Sequence, residues 1–237
     1  MIFAAGLGTR LGPLTRSMPK ALVSVGGVPM LERVARRLIE AGADRLIINV
    51  HHFADQIERF VEERHGFGVE IAFSREPDYP LETGGGLKRA APLFREGTPF
   101  FVHNVDVLTD LPLAEMYRTH EAARPLATLA VMRRQTSRYL LFDEEGLFGR
   151  VDEGKGVAIE ARTPRGTVEK LAFAGVHVIS PDLFEWMGDR EVFSILDTYL
   201  AAAERGRRIE PFRVDAWRWA DIGKPAELEA AERLFAS

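Results

Sequence analysis

The chain has 237 residues, 46% of them hydrophobic and 28% charged, and a formal net charge of −4. Such a length buries a sizeable core, and the mild acidity excludes binding nucleic acid or an anionic membrane through the overall field, so an anionic substrate needs a local basic site. Cysteine is absent, which removes disulfides, thiolate metal sites and cysteine nucleophiles. With no long apolar run and no secretory pattern, a cytoplasmic location is the expectation.

The predicted elements alternate over the first half. Residues 2–5 read as a short buried strand leading into glycines, and a few residues are expected to precede Met1. Met30, Leu31, Val34, Ala35, Leu38 and Ile39 share one face of a helix that Gly42 terminates. Strands follow at 45–50, 69–73 and 99–103, with helices at 55–63 and 86–94 between them. This βαβ alternation implies a parallel sheet covered on both faces. Beyond Arg134 the rhythm changes. A hairpin is expected over 139–151, a long strand at 171–179, helices at 192–204 and 226–235, and short strands at 209–214 and 217–219.

Gly6, Gly8 and Gly12 follow the first strand, where glycines permit positive φ and let backbone N–H groups approach a phosphate. Three glycines also suit a dinucleotide-binding dehydrogenase. That fold requires a helix directly after the loop and an acid at the end of the second strand. Here Pro13 and Pro19 interrupt any helix, and the second strand ends at Asn49-Val50-His51. Two cations, Arg10 and Lys20, flank the loop instead.

The run Ala4-Ala5-Gly6-Leu7-Gly8-Thr9-Arg10-Leu11-Gly12-Pro13-Leu14-Thr15, then Met18-Pro19-Lys20-Ala21-Leu22-Val23, resembles the signature of the sugar-phosphate nucleotidylyltransferases. The resemblance implies an α/β fold of Rossmann-like three-layer αβα type on a mostly parallel mixed sheet. It also implies a single domain over 1–237, with a nucleotide-binding half to about residue 134 and a sugar-phosphate-binding half beyond it. The expected substrates are a nucleoside triphosphate and a sugar 1-phosphate. By resemblance, Ala5, Gly6, Gly8 and Thr9 wrap the triphosphate, Arg10 stabilises the transferred phosphoryl and leaving pyrophosphate, and Lys20 bridges both substrates.

A polyphosphate site in an acidic protein calls for Mg²⁺, which takes one or two carboxylates together with phosphate oxygens and water. Asp106 ends the strand over 99–103, where open α/β sheets place ligands, and Asn104 stands beside it. Asp110 reads as a cap for the next helix. Asp221, in Trp219-Ala220-Asp221-Ile222-Gly223, matches the family position of the second metal carboxylate. Thr83, Gly84 and Gly85, opening a helix with exposed N–H groups, resemble the base-reading loop of uridylyl- and guanylyltransferases. Glu82 stands where glycine is common. Gly175 resembles the glycine on which the sugar packs, whereas Glu169-Lys170-Leu171 matches the family's sugar-contacting Glu-Lys-Pro only in part. Transfer of cytidylyl to phosphocholine and a non-catalytic sensing subunit are the alternatives, and a monomer or small homo-oligomer is expected.

Overall fold

The computed structural model describes residues 1–76 and 79–235. β1 (Ile2–Phe3) runs into the glycine loop, and β2 (Ser24–Val25) and β3 (Val28–Pro29) form a small hairpin before α1 (Met30–Glu40). β4 (Arg45–Val50), α2 (Ala54–Glu63), β5 (Glu70–Arg75), α3 (Glu82–Ala90) and β6 (Phe100–Asn104) complete the alternating part. β7 (Val107–Thr109) and α4 (Leu113–Ala123) lead to β8 (Ala127–Met132), the hairpin β9 (Arg138–Asp143) and β10 (Gly146–Asp152), β11 (Val157–Glu160) and the long β12 (Glu169–Ile179). α5 (Ile195–Glu204), β13 (Ile209–Arg213), β14 (Trp219–Asp221) and α6 (Pro225–Phe235) close the described chain.

A ten-stranded mixed sheet carries the architecture. Its four neighbours β5, β4, β1 and β6 are parallel, with Ile2 opposite Ile48 on one side and His103 on the other. Because these strands run in one direction, the glycine loop, Asn49 and the Asn104–Asp106 turn all emerge at the same edge. β12 then reverses direction and is shared, pairing antiparallel with β6, β8 and β9. Period-two alternation sends neighbouring residues to opposite faces. Ile48 and Val50 join a core with α1, α2, α4 and α6, while Ile47, Val102 and Leu129 join another with α3 and α5. These are the expected three layers, and no helix among the described residues is long and apolar enough to cross a membrane.

Two helix boundaries differ from the sequence reading for physical reasons, and the strand expected at 217–219 lies at Trp219–Asp221 because Trp217 is held in a turn by its N–H donation to the Val214 carbonyl. α3 starts at Glu82 rather than at residue 86, so all three glycines lie inside it. Their lack of side chains, which suggested a loop, instead allows close helix packing. The 192–204 segment becomes helical only at Ile195, after Ser194 accepts a hydrogen bond from the Leu196 N–H.

Three histidines are buried in this frame: His103 Nδ1 donates to the Asn104 carbonyl at 2.8 Å, His120 Nδ1 lies 2.9 Å from Thr128 Oγ1, and His177 Nδ1 lies 2.7 Å from Tyr199 Oη. Burial pushes their pKa values down from 6.5, to about 4 for His103 and His120 and about 3 for His177. All three are neutral in the folded chain, whereas the unfolded chain protonates near pH 6.5. Stability is therefore complete above that pH and lost as pH falls toward 4, by on the order of 2 kcal/mol for each ring at pH 5 and about 3 kcal/mol at pH 4. Asp143, held down to about 2 chiefly by its hydrogen bonds from Arg162, adds a loss only below about pH 4. Urea unfolding at pH 7.5 and pH 5 checks this: the midpoint should drop markedly at pH 5, and an unchanged midpoint contradicts neutral buried imidazoles.

Candidate functional site

A cleft of about 450 Å³ lies at the strand ends, with the glycine loop, Arg10, Lys20, Asn104 and Asp106 at one end and Glu76, Glu82 and Thr83 at the other. The loop geometry follows from its sequence. Gly8 adopts φ 67°, and a Cβ there would sit 2.9 Å from the Lys20 Cβ and 3.1 Å from Thr15 Cγ2. Thr15 Oγ1 donates to the Gly8 carbonyl at 2.9 Å, and the segment from Thr9 to Thr15 is tight turns kinked at Gly12 rather than an α-helix. Glycine at position 8 thus brings the loop directly against Lys20. A Cβ on Gly6, by contrast, would meet nothing within 4 Å. Its absence leaves open space above the loop, where a ligand can approach the backbone.

Lys20 is 7% exposed, and its ammonium donates to Asp106 Oδ2 across the cleft floor. Asp221 is placed beside this pair because β14 pairs with β7, with Asp221 opposite Val107 and the Ile222 N–H donating to the Asp106 carbonyl at 2.8 Å. Burial, then the nearby Asp106 charge, raise the Asp221 pKa, opposed by Lys20 and Arg10. The Arg10 guanidinium packs over Gly223, where a Cβ would come within 2.7 Å of Nη2. Asp221 Oδ1 is buried without a hydrogen-bond partner. A buried carboxylate oxygen left unpaired next to a second carboxylate is a donor set suited to a cation. Among the described residues no cluster of three or more metal-binding side chains occurs. Two carboxylates with the remaining positions left to substrate oxygens and water nevertheless fit Mg²⁺.

Asp110 is not the cap expected from sequence, since α4 begins at Leu113 after Pro112. Its carboxylate instead accepts from the Arg218 backbone N–H and Nε, both at 2.7 Å. This clasp joins β7 to the residue preceding β14 and so fixes where Asp221 stands. The sequence carried no signal for it, because the two residues are 108 apart.

Gly175, at φ 80° within an irregular stretch of β12, lies against Asn104 and Val107, where a Cβ would be 2.7 Å from Val107 Cγ2. It therefore borders the cleft through Asn104. Glu169 and Lys170 point elsewhere: Glu169 accepts from Arg133 and Arg213, and Lys170 pairs with Glu153.

The second glycine cluster departs most from its sequence reading. The N–H groups of Gly84 and Gly85 are not exposed but donate to the Phe193 carbonyl, at 2.9 and 3.3 Å. Added Cβ atoms would meet the Phe193 ring at 2.4 Å and the Glu191 carbonyl at 2.0 Å. Phe193 N–H donates to Leu81, and Thr83 Oγ1 accepts from Ile195 N–H. These glycines bind the 191–195 segment to α3, leaving Thr83 and Glu82 to face the cleft. Glu82 has φ 60°, the left-handed region that glycine occupies without strain, which accounts for glycine being common there.

A second cavity, of about 260 Å³, lies at the opposite strand ends near Met1, Phe94 and Phe100. Its charges are already paired, Arg95 with Asp44 and Arg45 with Glu70, so it offers no site comparable to the first cleft.

A parallel sheet opening into a glycine-lined, cation-flanked cleft at its carboxyl edge defines a nucleotide-binding α/β protein. The sequence model of the family described as "Nucleotidyl transferase" matches residues 1–237, and the chain belongs to that family. It is 33% identical to the N-acetylmuramate alpha-1-phosphate uridylyltransferase of Caulobacter vibrioides, over 99% of this chain and 96% of that protein. It is 30% identical to the mannose-1-phosphate guanylyltransferase catalytic subunit beta of Drosophila pseudoobscura pseudoobscura, over all of this chain but only 62% of that protein. In fold it resembles UDP-glucose pyrophosphorylase from Acinetobacter baumanii, with a TM-score of 0.79 at 21% identity, over 99% of this chain and 91% of that one.

Two glycine substitutions separate ligand approach from packing. Gly85→Ala should lower stability by about 1–3 kcal/mol through overpacking, whereas Gly6→Ala should leave it within about 0.5 kcal/mol and raise the KM for a triphosphate. Thermal melts alongside kinetics read both, and equal melting behaviour would contradict the assignment. Asp221→Asn relieves a buried like charge, so the melting midpoint without added metal should rise by a few degrees while turnover collapses. A lowered midpoint with normal turnover would remove Asp221 from the site.

Proposed function

We propose that the protein transfers a nucleoside monophosphate from a nucleoside triphosphate to a sugar 1-phosphate, releasing pyrophosphate, with Mg²⁺ held by Asp106 and Asp221. The observation that carries this reading is the convergence of Arg10, Lys20, Asp106 and Asp221 around one glycine-lined cleft. The similarity to uridylyl- and guanylyltransferases favours UTP or GTP as donor. The muramate relative, matched over nearly its whole length, makes N-acetylmuramate 1-phosphate the first acceptor to test. The first half of the chain supplies the nucleotide-binding wall and the second half the acceptor wall.

The acceptor phosphate is a monoester with a second pKa of about 6, so it is already an anionic nucleophile at neutral pH. It attacks the α-phosphorus in line, the new P–O bond forms, and the bond to the β-phosphate breaks with pyrophosphate leaving. No residue has to remove a proton, and none of the three buried histidines lines the cleft. Catalysis is then alignment and charge neutralisation. Gly6 and Gly8 let the loop backbone hold the triphosphate, Arg10 meets charge on the leaving pyrophosphate, and Lys20 is placed between donor and acceptor phosphates. Bound Mg²⁺ would neutralise phosphate charge at Asp106 and Asp221.

Asp106 holds Lys20 at the cleft floor, so in the proposed reaction the lysine exchanges a carboxylate for phosphate oxygens as substrates bind. Lys20→Ala and Asp106→Ala should each cut turnover by roughly 10²–10³-fold, and because each leaves a buried charge without its partner, both melting midpoints should fall below the parent's while the fold is kept. Pyrophosphate release measured for UTP and GTP against a panel of sugar 1-phosphates decides the matter. Near-parental release by either variant, or no release from the parent with any pair, sinks the reading.

A further inference from the structure

The ends of β8 and β13 and the starts of β9 and β12, neighbours in the sheet on the Gly175 side, carry a group of cations. Arg133 pairs with Glu169, Arg138 with Asp152, Lys170 with Glu153, and Arg213 with Glu169 and Asp215. Arg134 alone of this group has no carboxylate partner among the described residues. Its Nε is buried without any hydrogen-bond partner, and its Nη2 makes only a long contact of 3.4 Å with the Phe173 carbonyl.

The side chain is nonetheless fixed. Its guanidinium lies 4.5 Å from the centre of the Trp219 ring, and Trp219 is itself anchored by an indole N–H donated to the Ala174 carbonyl at 2.9 Å. Trp219 shares β14 with Asp221 two residues on, and Ala174 precedes Gly175. The stacked cation is thus tied to the strand that carries Asp221 and to the residues that lead into Gly175. Burial lowers its pKa, and Asp221 is the strongest influence restoring it. A stacked, oriented guanidinium with unused donors is suited to a planar, two-point contact with a carboxylate or phosphate.

We propose that Arg134 is a specificity-determining residue that receives an oxyanion of the acceptor, either its 1-phosphate or an acidic substituent on the sugar. The proposal rests on the sugar-phosphate reading of the cleft. It explains why this one arginine stays unpaired in a group where its neighbours are neutralised. A role confined to balancing Asp221 would act on the metal and donor side instead, and the two roles differ in which KM they move.

The test uses the full chain and its Arg134→Gln and Arg134→Lys variants. Pyrophosphate release is followed at saturating UTP with N-acetylmuramate 1-phosphate, which carries a carboxylate, and with N-acetylglucosamine 1-phosphate, which does not. Arg134→Gln should raise the acceptor KM roughly 10- to 100-fold, as expected for losing a charge-assisted contact, while the UTP KM stays the same. Arg134→Lys should recover part of the loss. A rise with both acceptors assigns the contact to the phosphate, and a rise with the muramate alone assigns it to the carboxylate. Unchanged acceptor KM values, or a parallel rise in the UTP KM, overturn the proposal. Calorimetric titration of N-acetylmuramate 1-phosphate into the parent and Arg134→Lys proteins gives a readout independent of turnover and of the Gln variant's folding. Equal affinities there also overturn it. A parent that binds the sugar phosphate but releases no pyrophosphate refutes the proposed reaction and leaves the Arg134 comparison decidable by binding.

Discussion

The ion pair between Lys20 and Asp106 is the contact on which the cleft depends. Two carboxylates, Asp106 and Asp221, are held close together at the end of a buried sheet, and Asp221 is penalised for it through a raised pKa. Such an arrangement is unfavourable without compensation. Lys20 supplies it from beneath and Arg10 from above Gly223. The glycine at position 8 permits the loop to close directly on Lys20, so backbone geometry and electrostatics are set by the same few residues. In the proposed reaction, a cleft balanced in this way takes up a polyphosphate and its cation by exchanging internal pairs for external ones.

The sheet explains how residues so distant in sequence reach that balance. β1, β4 and β6 run parallel and deliver the glycine loop, Asn49 and Asp106 to one edge. β12 then reverses, and its Gly175 admits Asn104 and Val107 at close range. β14 contributes Asp221 through a short antiparallel pairing with β7, kept in register by Asp110 and Arg218. Each acidic residue is thus carried by a strand end or a turn whose position is fixed by hydrogen bonds outside the cleft.

Much of this was legible in the chain itself. The alternation of apolar periods read the helices around Met30–Glu40 and Ala54–Glu63 and the strands between them, because those segments bury one regular face each. The grouping of Arg10, Lys20, Asp106 and Asp221 came from the resemblance to the nucleotidylyltransferase signature, each residue standing in a locally recognisable motif. What stayed hidden depends on contacts that no period encodes. The Asp110–Arg218 clasp, the capping of Gly84 and Gly85 by Phe193, and the isolation of Arg134 among paired neighbours all join distant residues. The glycines of α3 misled for a further reason: absence of a side chain signals close approach, but not what approaches.

That last contact couples two parts of the molecule that would otherwise vary separately. The 191–195 segment supplies the carbonyl that caps α3 and fills the space its glycines leave, and α3 in turn presents Thr83 and Glu82 to the cleft. Grafting only residues 79–86 from a relative would strand those N–H groups or force Phe193 into new side chains. The two stretches form one structural unit, and a substitution that reshapes the cleft wall at Thr83 and Glu82 has to be matched in the 191–195 segment.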